Sequence, residues 1–430
     1  MADLRDYQAP FFAIHKTLAN QRTSTRYQQL RACGADRVRV CIRSGSIRDF
    51  EFASDLIFQR LVAENSGSWR VATDLCAEFG DLQSWPQIAE RMMASARPQP
   101  DPRPAFADNP KVEEISGLTH YDPEVAHAIS AVIFHRLFQT LESAFKQGLL
   151  ADLDVLWTHG GRFWNDEPMP FAWNDNNGFC FIPQTCIDER ISLYHPDRPN
   201  IRRYLHKTTY RLNDLADLKP SAESLIAKAP ILSWSKNNID RVILLPSAAA
   251  PIAEYFLNSI LRDAPNNTRT ASALGSDYVL LDTPADDLFA RSGIIDAGGC
   301  AVQPLILIQN GRANAVPSIK NGHCSRPDQA LNLYAPIFCA ASEQPQMDYT
   351  PDSISAQKPG RILFIEKTVV ADGKIFFPLG GILYHEGRFL GHAVAPKSPY
   401  EISSFLKETR PLGSPVRCGE LAACAIEFMI

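Results

Sequence analysis

The chain has 430 residues, of which 45% are hydrophobic and 21% charged, which is the composition of an ordinary globular protein. Its formal net charge is -5 and its basic residues are scattered, which argues against nucleic acid as the main partner. No apolar run approaches the roughly 18 residues of a membrane-spanning helix. The first residues lack a charged-then-apolar signal pattern, so we expect a cytoplasmic protein with no membrane partner.

The first predicted domain, residues 1–110, is built on strands and ends in a linker. Residues 37–43 alternate between polar and apolar side chains, as a half-exposed strand does, and residues 47–52 are predicted to continue a hairpin. Residues 69–73 have the composition of another strand. The prolines of Arg97–Pro110 remove backbone donors and favour extended geometry, so we predict a linker there.

The second predicted domain, residues 111–230, begins with the most regular helical pattern in the chain. Apolar residues recur at helical spacing over Pro123–Gln147, and Gly148 follows where a helix can end. The Asn-rich segment 174–178 is typical of a turn. Strands are predicted around this turn, over residues 152–158, 179–182 and 190–195.

The third predicted domain, residues 231–430, is rich in strands. Residues 241–245 are mostly apolar, as a buried strand is, and an amphipathic helix is predicted over residues 246–261. Pro251 suits the first position of that helix. The polar segment 342–360 is predicted to be a surface loop. The whole chain is therefore predicted to be α+β, with two small N-terminal α/β domains and a larger β-rich C-terminal domain.

Several short stretches, taken in their order and spacing, resemble the TldD/PmbA family of peptide-processing proteins. The stretches are residues 244–249, 281–284, 295–299, 304–311 and 413–417. At the helix that follows the first stretch, zinc-bearing members of the family carry His-Glu-x-x-x-His, and the matching positions here are Ala253, Glu254 and Asn258. Only the glutamate is retained, and neither an alanine methyl nor an asparagine amide replaces a histidine ligand of zinc.

The resemblance implies the second of two family types that pair with each other. One type carries zinc and cleaves unfolded or modified peptides, including precursors of peptide antibiotics, while the second lacks the ligands and completes an enclosed chamber. For this chain it implies no catalytic or metal-binding residue, no cofactor, zinc in a TldD-like partner subunit, a hetero- or homodimer, and an extended peptide as substrate. Cys418 is the nearest counterpart of the family's cysteine ligand, but the histidines that would accompany it are missing.

Two further features of the third domain have competing interpretations. The sequence around Asp296, Gly298 and Gly299 is first a turn signal, but glycine backbone there can also lie against a bound peptide, so these residues are our candidates for substrate binding. Glu254 is a poor general base without a metal, and we interpret it as a remnant of the motif.

The histidines and cysteines of the chain could in principle support metal binding or nucleophilic catalysis. His385 and His392 flank a predicted hairpin turn, and we expect exposed histidines there rather than metal ligands. The ten cysteines include no Cys-x-x-Cys pair and are typical of free thiols, although Cys339 or Cys324 near His323 is a possible nucleophile. Two alternatives to the paired subunit therefore remain: an independent peptide hydrolase without zinc, and a non-catalytic peptide-binding protein.

Overall fold

The computed structural model of the chain describes most of its strands and the C-terminal helices. The described residues are 25–64, 69–76, 97–99, 144–165, 179–215, 218–227, 229–233, 239–263, 275–283, 305–310, 312–313, 336–341, 350–372, 375–394, 399–419 and 421–429, with scattered residues between 87 and 142.

Within the described part of the chain, the elements that have defined bounds are mainly strands. The strands are β1 (Thr25–Arg43), β2 (Ser46–Glu64), β3 (Trp69–Cys76), β4 (Arg97–Gln99), β5 (Leu150–Asn165), β6 (Phe179–His195), β7 (Arg198–Thr209), β8 (Ile231–Ser233), β9 (Arg241–Leu244), β10 (Tyr278–Asp282), β11 (Leu305–Gln309), β12 (Arg312–Ala313), β13 (Pro336–Ala340), β14 (Arg361–Ile365), β15 (Thr368–Ala371), β16 (Ile375–Pro378), β17 (Gly381–His385), β18 (Arg388–Val394), β19 (Tyr400–Glu401), β20 (Arg410–Cys418) and β21 (Leu421–Met429). The helices are α1 (Lys219–Ile226), α2 (Pro246–Asp263), α3 (Pro351–Gln357) and α4 (Ile402–Lys407).

The N-terminal half forms one seven-stranded antiparallel sheet in the order β4-β3-β2-β1-β5-β6-β7. The predicted strands and the hairpin at residues 47–52 lie within it. Strands from both sides of the predicted boundary at residue 110 share this sheet, because β1 pairs directly with β5. The first three residues of the predicted linker form β4, and its remainder lies outside the described residues, as does the predicted turn at 174–178.

The two faces of this sheet differ in polarity because side chains alternate along each strand. On β5, Leu153, Val155 and Trp157 are buried in one cluster together with Val125 and Leu141, which lie in the predicted long helix. The helix ends as predicted: the residue after it, Gly148, has a φ of +80°, a conformation that favours glycine. The opposite face of the sheet carries charged side chains.

The C-terminal half centres on an eleven-stranded mixed sheet. Its path is β12-β11-β10-β13-β21-β9-β14-β17-β18-β8, with β20 paired to β21 off this path. The central strands are buried on both faces, as the near-continuous apolar residues of β14 and β21 require. A smaller sheet, β15-β16-β19, lies beside it. Among the described residues, no helix is long and apolar enough to cross a membrane.

Helix α2 packs its small residues into the core of this half. Ala249, Ile252 and Ala253 are buried in the largest apolar cluster, together with side chains of β9, β14 and β21. The helix begins at Pro246, so the expectation that Pro251 occupies its first position is wrong. Pro246 has the same advantage there, since the first residues of a helix have no intrahelical acceptor for an amide hydrogen. Pro251 lies one turn further in, half-buried at the helix surface.

The predicted surface loop over residues 342–360 contains a helix in its second half. Helix α3 begins after Thr350, whose hydroxyl oxygen accepts a hydrogen bond from the amide of Ser353 at 3.4 Å. Ile354 is fully buried, so this turn of helix is anchored by one apolar side chain. The polar composition concealed it, because a short helix needs few apolar residues. Residues 342–349 lie outside the described part of the chain.

Candidate functional site

A cavity of about 910 Å³ lies between the two halves of the molecule. One wall is the polar face of the first sheet, contributed by β5, β6 and β7. The other walls are the exposed face of α2, residues 366–368 between β14 and β15, and the turn that joins β20 to β21. A space of this size accommodates several residues of an extended peptide.

The sheet wall carries carboxylates that form hydrogen bonds and ion pairs with neighbouring basic side chains. Asp152 accepts a hydrogen bond from Arg202 at 2.7 Å, and Asp188 accepts one from Arg190 at 3.1 Å. Asp188 also lies 2.9 Å from Nε2 of His206 and accepts from a threonine hydroxyl of β7 at 2.6 Å. Burial by itself raises the pKa of Asp188, but these hydrogen bonds and the charges of His206 and Arg190 outweigh it and lower the pKa to about 2.

The helix wall contains two of the three positions that match the zinc motif. Glu254 and Asn258, one helical turn apart, are exposed and line the cavity. Ala253 lies on another side of α2 and is fully buried in the apolar core. The helix therefore brings the glutamate and the asparagine together and keeps the alanine away from them. Glu254 has no hydrogen bond or ion pair with any described residue.

Cys418 lines the cavity at the end of β20, facing β7. Its thiol donates to the main-chain carbonyl of His206 at 3.5 Å. Burial raises the pKa of this thiol to about 12, so it stays protonated at neutral pH. The next residue, Gly419, has a φ of +74°, and its amide donates to the hydroxyl of Thr208 at 2.7 Å. The turn is thus fastened to β7 by two hydrogen bonds.

A buried ion pair joins the sheet wall to the C-terminal half. Glu366 accepts from Nε and Nη2 of Arg203 at 2.8 and 2.6 Å, and both side chains are 7% exposed. Arg203 also donates to the hydroxyl of Ser224. The second oxygen of Glu366 accepts from the amide of Tyr204 at 2.9 Å. These contacts fix the edge strand β7 against the segment that follows β14.

The side chains of this site do not fit a zinc ion of the kind that the fold family carries. Asn258 offers an amide instead of an imidazole, Ala253 points into the core, and Cys418 is held as a neutral thiol. The described part of the chain contains no group of three or more His, Cys, Asp and Glu side chains placed to hold a metal. The charged and polar side chains of the described cavity wall can bind polar and charged ligands.

The remaining predicted residues are distributed away from this cavity or fall outside the described structure. Asp296, Gly298 and Gly299, proposed for peptide binding, lie outside the described residues, as do Cys324 and His323. Cys339 is half-buried on β13.

The hairpin that carries His385 and His392 is as predicted, but the expected exposure of His392 is wrong. The turn residues Glu386 and Gly387 have φ values of +49° and +78°, which match a two-residue hairpin turn. His392 is 4% exposed, and its Nε2 lies 3.2 Å from the carbonyl oxygen of Ser224. Its strand is covered by β8 and α1, which the sequence of the hairpin does not reveal. Burial lowers the pKa of His392.

Comparison with solved structures identifies the fold. TldE from Thermococcus kodakarensis superposes with a TM-score of 0.62 and 13% identity, covering 99% of this chain and 98% of that one. A protein named as a modulator of DNA gyrase from Thermotoga maritima gives a TM-score of 0.66 and 9% identity over 99% of both chains. A protein with a similar name from Bacteroides thetaiotaomicron gives 0.60 and 11%, covering 99% and 97%.

The chain therefore has the fold of TldD/PmbA-type proteins over its whole length, and the predicted α+β, strand-rich fold class is confirmed. Neither a protein-family model nor a curated protein matches the sequence. At 9–13% identity the likeness concerns the backbone architecture and not individual side chains.

Sequence reasoning missed most of the polar cavity wall. The signal was present as charged residues at every second position, such as Asp152 and Asp154 on β5, and Asp188 and Arg190 on β6. Period-two charges on a strand whose other face is apolar indicate a polar sheet face. Only the tertiary structure shows that another part of the chain covers that face instead of solvent. Glu366 carried no local signal of its role.

Proposed function

We propose that this chain is a non-catalytic subunit of a TldD/TldE-type peptidase, which pairs with a zinc-bearing TldD-like subunit and forms part of the chamber that holds the peptide. The observation that supports it most directly is the cavity itself: the helix that carries the motif positions lines it with Glu254 and Asn258, but without zinc donors. The shared fold with TldE supports the same conclusion.

The peptide is held mainly by side chains of the cavity wall. Strand β7 is at one edge of the seven-stranded sheet, where an added peptide strand would pair. However, the amide of Tyr204 already donates to Glu366, and the carbonyl of His206 already accepts from Cys418. Because these edge groups are occupied, the peptide is expected to lie across the polar sheet face rather than extend β7 as an eighth strand.

An independent thiol hydrolase has less support from the geometry. Cys418 lies in the cavity beside His206, yet its thiol donates to the main-chain carbonyl of that residue and its pKa is raised to about 12. A nucleophilic cysteine needs a lowered pKa or a base that accepts its proton.

Co-purification tests the proposal. The chain and a zinc-bearing TldD-like relative from the same organism are produced separately and together, and each sample is tested for zinc content, mass and cleavage of an unfolded peptide. We expect a joint complex that contains zinc and cleaves the peptide, whereas this chain alone does neither. Cleavage by this chain alone that resists chelators would contradict the proposal, and so would failure of the two chains to associate.

A variant of the cavity wall sharpens the same experiment. Asn258→Trp fills space beside Glu254 at an exposed position, so we expect an intact complex whose rate of peptide cleavage falls about tenfold. Lys407→Trp on α4, equally exposed but outside the cavity, is the matched control and should leave the rate unchanged. Equal rates for both variants would mean that the cavity is not part of the chamber.

A further inference from the structure

Two consecutive residues between β14 and β15 point in opposite directions. Glu366 is buried against Arg203, while Lys367 is exposed to the cavity. Neighbouring side chains of extended backbone alternate in this way, so the ion pair of Glu366 determines where Lys367 points. The ammonium nitrogen of Lys367 lies 4.8 Å from the centroid of the Tyr204 ring, which fixes its position over the sheet wall.

The ammonium group of Lys367 has no anionic partner among the described residues, with which its side chain forms neither an ion pair nor a hydrogen bond. Partial burial, and then the positive charges of Arg202, Arg190 and Arg43 on the same cavity wall, lower its pKa. An ammonium that shares a cavity wall with guanidinium groups is stabilised when an anion joins them.

The carboxylates of the sheet wall are already engaged with other partners, and Glu254, unpaired among the described residues, lies on the helix wall, where it forms no ion pair with Lys367. Asp152 is held by Arg202, and Asp188 by Arg190, His206 and a threonine hydroxyl. Arg190 uses only its Nε in that contact, so its terminal nitrogens remain available within the described structure. Nη1 of Arg43 donates only to main-chain carbonyls, at 3.0 and 3.2 Å.

We propose that Lys367, with Arg190 and Arg43 beside it, forms a carboxylate-binding subsite of the cavity. The ligand is a carboxylate of an extended peptide, carried either by its C-terminus or by an acidic side chain. That the ligand is a peptide rests on the proposed function; that it carries a carboxylate rests on the charges of the wall. Charge-assisted hydrogen bonds from ammonium and guanidinium groups recognise this group strongly.

Calorimetric titration of the isolated full-length chain tests the subsite with three matched peptides. The first has five neutral residues and a free C-terminal carboxylate, the second is its C-terminal amide, and the third is that amide with one central glutamate. We expect the neutral amide to bind about tenfold more weakly than at least one of the carboxylate peptides. Preference for the first peptide identifies the chain end as the ligand, and preference for the third identifies an acidic side chain.

Variants of Lys367 assign the preference to this position. Lys367→Met should reduce the discrimination to within about twofold, while Lys367→Arg retains most of it. Lys407→Met, at an exposed lysine on α4 outside the cavity, is the control and should behave like the unmodified chain. Thermal unfolding of each variant confirms that the fold is intact, as expected for an exposed side chain.

Several results would overturn the subsite. They are equal binding of all three peptides, no binding of any peptide up to about 1 mM, and a preference that survives Lys367→Met. Failure of the proposed pairing is a separate outcome, because it is read from complex formation and cleavage. A carboxylate preference in a chain that never associates with a zinc-bearing relative would keep the subsite and reject the peptidase subunit.

Discussion

The two large sheets use their faces differently. On β5 of the seven-stranded sheet, buried Leu153 and Val155 alternate with Asp152 and Asp154, which face the cavity. The central strands of the eleven-stranded sheet are buried on both faces, and β21 is continuously apolar from Leu421 to Ile426. The first sheet therefore presents a charged face to the cavity, and the second provides the apolar core against which α2 packs opposite it.

The contact between these two regions shows why the cavity has a fixed shape. A buried ion pair between Arg203 and Glu366 joins the edge of the first sheet to the chain leaving β14. Both side chains are almost completely removed from water, so each depends on the other for its charge to be tolerated. Variants of this ion pair test whether it holds the two halves together. Variants of residues around the cavity then test how the buried and cavity-facing sides of the molecule differ.

The largest effect is expected from breaking the buried pair. Arg203→Met leaves the Glu366 carboxylate without its cation, so the free energy of unfolding should fall by about 3–5 kcal/mol in urea denaturation. The double variant Arg203→Met with Glu366→Leu should recover much of that loss, because it removes both buried charges. A loss below about 1 kcal/mol for the single variant would show that the pair does not hold the halves together.

The residue before Arg203 provides the control for this stability prediction. Arg202 precedes Arg203 on β7 but points into the cavity, where it pairs with Asp152 at partly exposed positions. Arg202→Met should therefore cost about 1 kcal/mol or less. A comparable loss for the two variants would contradict the difference between the polar face and the buried edge of this strand.

Placing a histidine at each of the two motif positions compares the buried side of α2 with its cavity side. Ala253→His forces a large polar ring into the closed apolar core and should lower stability by about 3 kcal/mol in thermal or urea unfolding. Asn258→His, at the exposed cavity wall, should change it by less than about 0.5 kcal/mol.

The double variant also tests the mismatch with zinc. In this structure position 253 faces the apolar core and position 258 faces the cavity, so histidines placed there do not converge on one ion. We expect no stoichiometric zinc in the purified double variant by elemental analysis. Zinc bound in a one-to-one ratio would show that α2 can rotate or unwind to form the site.

A smaller effect is expected from acid titration of the sheet wall. Asp188 has a pKa of about 2 in the folded chain, compared with its usual value near 3.8. Because the folded pKa is lowered, its stabilisation is present above about pH 4 and is lost as the pH falls through about 2. Asp188→Asn should therefore reduce stability by about 2 kcal/mol near neutral pH, and the difference should vanish near pH 2. A difference that is independent of pH would reject the ionic origin of this effect.

The smallest effect concerns the thiol of the cavity. Cys418 is buried and its pKa is raised to about 12, so iodoacetamide should leave it unmodified in the native chain at neutral pH. Cys41, which is partly exposed on β1, should react in the same sample, as mapped by mass spectrometry. Selective modification of Cys418 would reverse this comparison and favour the thiol hydrolase.

Local patterns predicted many elements but not their surroundings. The hairpin at Glu386-Gly387 and the helix end at Gly148 follow from residues that tolerate a positive φ, which is a local property. The start of α2 at Pro246 was predicted correctly, although Pro251 does not occupy its first position. The exposure of His392 was predicted wrongly, because it depends on what packs against the strand. Nothing within the sequence of β18 indicates that the carbonyl of Ser224 lies beside His392.

The sequence by itself determined the strand-rich fold class and many of its strands and turns, since alternation and turn residues are properties of short segments. Only the tertiary structure decided that Glu254 and Asn258 face a cavity while Ala253 faces the core. It also decided that Glu366 forms a buried ion pair, while Lys367, the next residue in the chain, faces the cavity. The physical reason is that burial and charge pairing arise between segments more than 100 residues apart, where no local pattern records which side chains meet.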